Sequence, residues 1–264
     1  MSMFYPLTQK LCIATVCCVI SCSVLADSYD DGLLAFAQGD YRSARQHFQS
    51  AAAAGDSGAQ HMLMRMYSEG KGVEADTQQA FQWNLKAAHD GAVQAQFELA
   101  ERYFMGDGIS RNLPQAFRWY QSAARQGHHV AIEKLAHFYE TGQVVKRDLE
   151  HAQHLYNVAA SEYDVFAQKG DASAQNALAG MYENARGVEV NIALALSWYK
   201  KAALQDYAQA QYNTGRLLLE NADSERNIAE AAYWLDLAAA QGLHKAKILL
   251  VQIEKEHGTS VAMR

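Results

Sequence analysis

Cysteine is almost absent from the chain. Of 264 residues four are cysteine, and Cys12, Cys17, Cys18 and Cys22 all fall near the start. The remainder has no disulfide and no thiol nucleophile, so packing alone must hold it together. Proline is scarcer still, with two residues in the chain. Few helix breakers in an alanine-rich sequence imply long helical runs, and no window alternates apolar and polar residues as a half-buried strand would. A basic excess is also missing. The formal net charge is −6, which argues against nonspecific nucleic-acid binding through counterion release and against a cationic membrane-surface domain. Several catalytic signatures are absent: there is no G-x-S-x-G, no H-E-x-x-H and no phosphate-binding loop.

The first 26 residues differ from the rest. Lys10 is their one charge, and it precedes the apolar run Leu11 to Ala26. A positive start, a short apolar middle and a small residue before Asp27 read as an export signal. Two processing outcomes compete, with a retained N-terminal anchor as a third. Val24-Leu25-Ala26 suits ordinary cleavage, and Val19 to Cys22 resembles a bacterial lipobox that would leave Cys22 lipidated. Both place the protein outside the cytoplasm, in the periplasm or lipid-anchored to the outer membrane, with no other contact to a membrane.

What the chain has is repetition. "AFQWNLKAAHDG" from Ala80, "AFRWYQSAARQG" from Ala116, "ALSWYKKAALQD" from Ala195 and "AAYWLDLAAAQG" from Ala231 are versions of one phrase. The alanines Ala59, Ala95, Ala131, Ala174, Ala210 and Ala246 step by 36, 36, 43, 36 and 36 residues. Trp83, Trp119, Trp198 and Trp234 form one column, with Leu155 in the empty slot. Tyr67, Tyr103, Tyr139 and Tyr182 form another, ending in Leu218. Such a period means stacked supersecondary units. In each unit a helix A carries a stripe such as Ala95, Leu99 and Tyr103. Glycines break it at Gly70 and Gly72, at Gly106 and Gly108, and singly at Gly142 and Gly187. A helix B then starts after Asp40, Asp76, Asn112, Asp148, Asn191 and Asn227, residue types that cap helix N-termini. The recurring tryptophans and tyrosines are therefore assigned to the core between units rather than to a stacking platform for sugars or bases.

The glycine pair, the Asx cap, "A-x-x-W-Y", the double alanine and "QG" together resemble the Sel-one-like repeat, a relative of the tetratricopeptide repeat. The copy over Ala92 to Gly127 carries nearly all of them. The segment Asp31 to Ala52 resembles a tetratricopeptide unit instead, through Gly32, Gly39, Tyr41, Ala44, Phe48 and Ala51. The expected organisation is an export signal over 1–26, a tetratricopeptide-like unit over 27–55, Sel-one-like units over 56–91, 92–127, 128–170, 171–206 and 207–242, and a capping helix and tail over 243–264. The expected fold is an all-α, right-handed superhelical solenoid of helix-turn-helix repeats. The unit after Gly127 holds seven extra residues around Ser161 to Ala167. Seven residues are two helical turns, so helix B can lengthen in phase, and Tyr163 and Phe166 are expected to project from the edge as contacts.

The resemblance implies a non-catalytic scaffold or adaptor that binds a protein or peptide and needs no cofactor. In such solenoids helix A lines the concave face, which here would present Met62, Arg65, Glu98, Glu101, Lys134, His137, Asn213 and Arg216. Met62 with Met64 and Met66 would add an adaptable apolar patch, and the alternating charges would set specificity. Two other roles remain open: a periplasmic regulator of a membrane signalling protein, and an envelope hydrolase or a protein binding β-lactams or peptidoglycan. Ser197 and Lys200 match S-x-x-K, but the accompanying S-D-N and K-T-G are missing. His151 and His154 lie one turn apart, with His128 or His137 as a third ligand in reserve. A zinc site needs three or four ligands in set geometry, so they are read as a solvated face, with no metal expected.

Overall fold

The computed structural model describes residues 28–222 and 224–257. The export signal, its alternatives at Cys22 and Ala26, and the tail after His257 lie outside these residues. Among the described residues there is no strand, and no helix is long and apolar enough to cross a membrane.

The chain divides into two compact units, Met1–Ala131 and Ile132–Arg264. The first holds α1 (28–37), α2 (Tyr41–Ala53), α3 (Ser57–Glu69), α4 (Thr77–His89), α5 (Val93–Met105) and α6 (Leu113–Arg125). The division falls inside α7 (His129–Thr141). The second unit continues with α8 (Leu149–Gln168), α9 (Ala172–Asn184), α10 (Ile192–Ala203), α11 (Ala208–Glu220), α12 (Glu225–Ala240) and α13 (His244–His257). Within each unit every helix from α2 to α6 and from α8 to α13 packs on its sequence neighbour. This is the stacking of a helical repeat, and it puts the core in thin layers between successive helices.

Four of the turns from helix A to helix B are closed twice. The backbone N–H of the Asx residue donates to the carbonyl of the tyrosine nine positions earlier: Asp76 to Tyr67, Asn112 to Tyr103, Asp148 to Tyr139 and Asn191 to Tyr182, all at 2.8–2.9 Å. The Asx side chain then accepts an N–H of the new helix, as Asn112 does from Gln115 at 3.1 Å and Asp148 from His151 at 3.0 Å. A side-chain cap that satisfies an orphan amide is worth about 1 kcal/mol. The tyrosine column is thus tied to the cap column by backbone, which explains why both keep the same step.

Asn227 is the exception among the expected caps. Helix α12 begins two residues before it, and Ser224 is the cap, accepting from the Asn227 N–H at 3.4 Å. The turn here lacks the glycine pair, and Asn221 at the end of α11 has φ −112° instead of the left-handed conformation that Gly70 and Gly106 adopt, so the serine three residues before Asn227 takes over as cap. In α9 the same corner is made without glycine: Ala185 sits at φ 55° and ψ 37°. Gly187, two residues on, has φ 72°, and a Cβ there would stand 2.1 Å from the backbone N of Asn157. Only glycine fits so close an approach.

The expected extension of helix B is present. Helix α8 has 20 residues where α2, α4 and α6 have 13. Its inserted Tyr163 does not project. It is 4% exposed and donates its hydroxyl to Glu133 at 2.6 Å. The physical reason is phase: Tyr163 lies seven residues after the buried Tyr156, on the same helical stripe. Phe166 is exposed, with the Lys169 ammonium 5.6 Å from its ring centre.

The tryptophan column divides. Trp198 and Trp234 are buried, whereas Trp83, Trp119 and the Leu155 that replaces a tryptophan are half-buried. Trp119 meets His89 edge-on at 5.1 Å and packs beside Ala87, Ala88, Ala95 and Leu99.

Candidate interaction face

The face residues singled out from the sequence lie on the A helices α3, α5, α7 and α11. The structure takes one of them off the face. Met62 is 7% exposed and belongs to a core cluster with Phe48, Ala59, Leu63 and Met66. Its column holds Glu98, Lys134 and Asn213 in other units, all half-buried. The position lies on the border of the covered stripe, so a methionine turns inward where a charged residue reaches out. Met64 and Met66 are buried as well, and the methionine patch is core.

In the first unit, Glu98 is the hub. One carboxylate oxygen accepts from His61 at 3.0 Å and from Gln94 at 3.1 Å, and the other accepts from Asn84 at 3.4 Å. Burial alone would raise its carboxyl, but hydrogen bonding to His61, the charges of His61 and Arg102, and Gln94 hold it below its ordinary range. Glu101 accepts the hydroxyl of buried Tyr120. Arg65 pairs along its own helix with Glu69 at 3.2 Å, and its guanidinium lies 6.0 Å from the Phe36 ring. Glu69, nearly in solvent, is held low mainly by a hydrogen bond from Lys71 and also by Arg65.

The second unit repeats the theme with different residues. Arg216 on α11 donates to Glu183 on α9 at 2.6 Å and to Glu220 at 2.8 Å. Tyr199 completes the set, donating to the other oxygen of Glu183 at 2.8 Å. Glu140 collects Tyr156 at 2.8 Å, His137 at 3.2 Å and Arg186 at 3.3 Å. Although burial would push the Glu140 carboxyl up, those partners hold it down. The buried tyrosines move the other way. Desolvation first, and the facing carboxylate second, raise Tyr120, Tyr156 and Tyr199 above the ordinary phenol range; at Tyr163 desolvation is followed by Glu133. Asn213 donates to Asn176 at 2.9 Å and accepts from Gln209 at 3.2 Å. Lys134 is half-buried.

Seven of the eight expected face residues thus remain at least partly accessible. They are not a free row of charges. Glu98, Glu101, His137, Asn213 and Arg216 are locked to neighbours that the sequence reading passed over: His61, Tyr120, Glu140, Asn176, Glu183 and Tyr199. One signal could have found two of these, and Tyr156 with them. Tyr120, Tyr156 and Tyr199 recur in the "W-Y" position, and a buried phenol needs a hydrogen-bond partner. The arrangement can present fixed hydrogen-bonding edges to a partner. His151 and His154 stand with parallel rings 6.5 Å apart, and among the described residues no group of three or more His, Cys, Asp or Glu side chains is placed to hold a metal.

One hollow joins this face to apolar side chains. Near the end of the second unit it is lined by the charged or polar Arg216, Glu220, Gln252, Glu256 and His257 and by the apolar Leu219, Ala222, Ile228 and Leu249.

A family model described as the Sel1 repeat matches residues 19–56, 57–91, 93–128, 129–164, 172–207 and 208–243. The first match includes the segment that resembles a tetratricopeptide unit. No curated protein matches the chain. Among solved structures, a Sel1 repeat protein from Oxalobacter formigenes is 28% identical, with a TM-score of 0.65, over 88% of this chain and 92% of that one. A protective antigen of uropathogenic Escherichia coli with the same repeat fold is 27% identical, with a TM-score of 0.60, over 90% of this chain and 50% of that one.

Proposed function

Because the chain belongs to the Sel1 repeat family, whose fold commonly serves as a protein-interaction scaffold, we propose that it is an exported adaptor that binds a protein or peptide through its A-helix faces. The observation that carries this reading is the hollow at Arg216. The guanidinium is held in place by Glu183 and Glu220, so it is aimed without further ordering cost when a partner arrives. Leu219, Ile228 and Leu249 supply apolar area beside it. A fixed charge next to apolar area is how interfaces combine specificity with affinity. Sel1 repeat proteins are generally non-catalytic scaffolds, and the locked carboxylates suit that role.

The envelope location rests on residues 1–26, with either Ala26 or Cys22 as the processing point. The test is a crosslinked pulldown of the tagged mature protein from its native envelope, with the N-terminal peptide read by mass spectrometry in the same sample. The proposal expects a stoichiometric protein partner that is lost on Gln252→Glu or Arg65→Glu. Gln252 is exposed, so Gln252→Glu should leave the melting temperature nearly unchanged, and Arg65→Glu, which replaces the exposed pair with Glu69 by like charges, should lower it only slightly. Retention of glycan or peptidoglycan fragments with no protein would sink it and favour a ligand-binding or hydrolytic role.

A further inference from the structure

The residue that opens each A helix changes from repeat to repeat. Asp56 caps α3 by accepting from the Ala59 N–H at 2.7 Å, and Asp171 caps α9 through Ala174 at 2.7 Å. Ala92 and Tyr207 give α5 and α11 no side-chain cap. In α7 the position is a histidine. Nδ1 of His128 accepts from the Ala131 N–H at 3.3 Å. Its ring is stacked on Phe97 of α5, with centroids 4.3 Å apart and planes 18° apart.

The hydrogen bonds fix the tautomer. If Nδ1 accepts, the proton is on Nε2, which faces Oε1 of Gln94 at 3.3 Å. Gln94 in turn donates to Glu98 at 3.1 Å, and Glu98 accepts from His61 at 3.0 Å. Every donor meets an acceptor along this chain. We propose that His128 is a proton-gated helix cap: with a bare Nδ1 it closes the first turn of α7, and one added proton opens that bond while the ring stays on Phe97.

Three effects act together on protonation. The imidazolium has no lone pair left for the Ala131 amide. It places a positive charge at the positive end of a helix, where the macrodipole opposes it. It also charges a half-buried ring. The charged groups set against His128 are His129 on its own helix, with parallel rings 5.7 Å apart, and Glu98 on α5. Gln94 and Phe97 are neutral. Burial and then His129 push His128 below the ordinary histidine range, and Glu98 opposes them only in part. A depressed histidine contributes stability above its unfolded value of about 6.5 and loses it as the pH falls. The helix starts at α3 and α9 carry an aspartate cap in place of the imidazole and serve as the comparison.

Hydrogen exchange on the whole 15N-labelled chain, corrected for intrinsic rates, tests the idea between about pH 7.5 and 5.5. Protection at the Ala131 amide should fall about fivefold, the factor that a lost cap makes. Ala59 and Ala174, capped by aspartate, should hold steady. His128→Asp and His128→Asn should keep Ala131 protected across the range, whereas His129→Gln, which removes one of the causes that hold His128 low, should weaken the response without abolishing it. An unchanged Ala131 amide in the wild-type chain would overturn the proposal. So would a response that survives in His128→Asn or disappears in His129→Gln.

Discussion

Gln241 donates its side-chain amide to Oε1 of Gln211, thirty residues earlier, at 2.9 Å. The same bond joins Gln126 to Gln96 at 2.9 Å and Gln205 to Gln175 at 2.8 Å. Each earlier glutamine also donates to a carbonyl eight residues before it, as Gln96 does to Ala88 at 3.1 Å and Gln175 to Ala167 at 3.0 Å. A buried amide is thereby satisfied on both ends, and each helix A is stitched to the helix B before it and to the end of its own helix B. Where the column changes, both members change: Ile132 and Lys169 stand at the two positions in the unit with the long helix.

The first unit breaks this pattern in one place. Asp90 stands where the others have glutamine, and it accepts from Gln60 Nε2 at 2.8 Å, so Oε1 of Gln60 is buried without a hydrogen-bond partner. Asp90 also puts a negative charge at the C-terminus of α4, against the helix dipole. Asp90→Gln should restore the amide pair and stabilise the chain by about 0.5–1 kcal/mol. Urea denaturation measures it, and a clear loss of stability would mean that the charged bond to Gln60 outweighs the orphaned oxygen.

Two backbone corners give opposed predictions. Ala185 holds a left-handed conformation that costs an L-residue about 1–2 kcal/mol, partly offset by its stiffer unfolded chain. Ala185→Gly should therefore gain about 0.5 kcal/mol. Gly187→Ala should lose roughly 2–4 kcal/mol, from the positive φ and the contact with Asn157. Equal effects at the two sites in thermal unfolding would contradict the geometry.

The two aromatic residues of the α8 insertion should behave differently. Tyr163→Ala removes a buried ring and leaves Glu133 without its phenol, which should cost about 3–5 kcal/mol. Phe166→Ser should cost less than about 1 kcal/mol. If Phe166→Ser is as damaging as Tyr163→Ala, the assignment of inner and outer faces on α8 is wrong.

Alkali should expose the tyrosine–carboxylate pairs. The pKa values of Tyr120, Tyr156, Tyr163 and Tyr199 are all raised by burial and a facing carboxylate. A raised acid contributes stability that is complete below its unfolded value of about 10 and is lost as the pH climbs above it. Tyrosinate absorbance should therefore show a fraction of the tyrosines ionising only with the loss of helical circular dichroism. Smooth ionisation of all tyrosines before any unfolding would contradict the pairs.

Much of the fold was legible because the repeat writes it several times. The cap and tyrosine columns are tied by backbone bonds, so their common step announced the turn. The Ser224 cap was not legible, since the one turn without glycines follows a different local chemistry. Tyr163 was legible in principle. The seven-residue insertion preserves helical phase, and that argument carries Tyr163 onto the stripe of Tyr156 rather than outward. The face was only half legible. Spacing placed Glu98, Glu101 and Arg216 on one side of their helices, but which neighbour locks each depends on contacts 19 to 37 residues away, such as Tyr120 to Glu101 and His61 to Glu98. Met62 shows the limit: a border position faces inward or outward according to its own side chain.

The central claim is that partners dock on the A-helix side. Lysine crosslinking of the protein in its native cells, mapped by mass spectrometry, tests it most directly. The account predicts crosslinks to one protein from Lys134, Lys245 and Lys247 on the A helices α7 and α13, with Lys86, Lys200 and Lys201 on the B helices α4 and α10 silent. Crosslinks concentrated at Lys86, Lys200 and Lys201 would place the partner on the opposite face and contradict it.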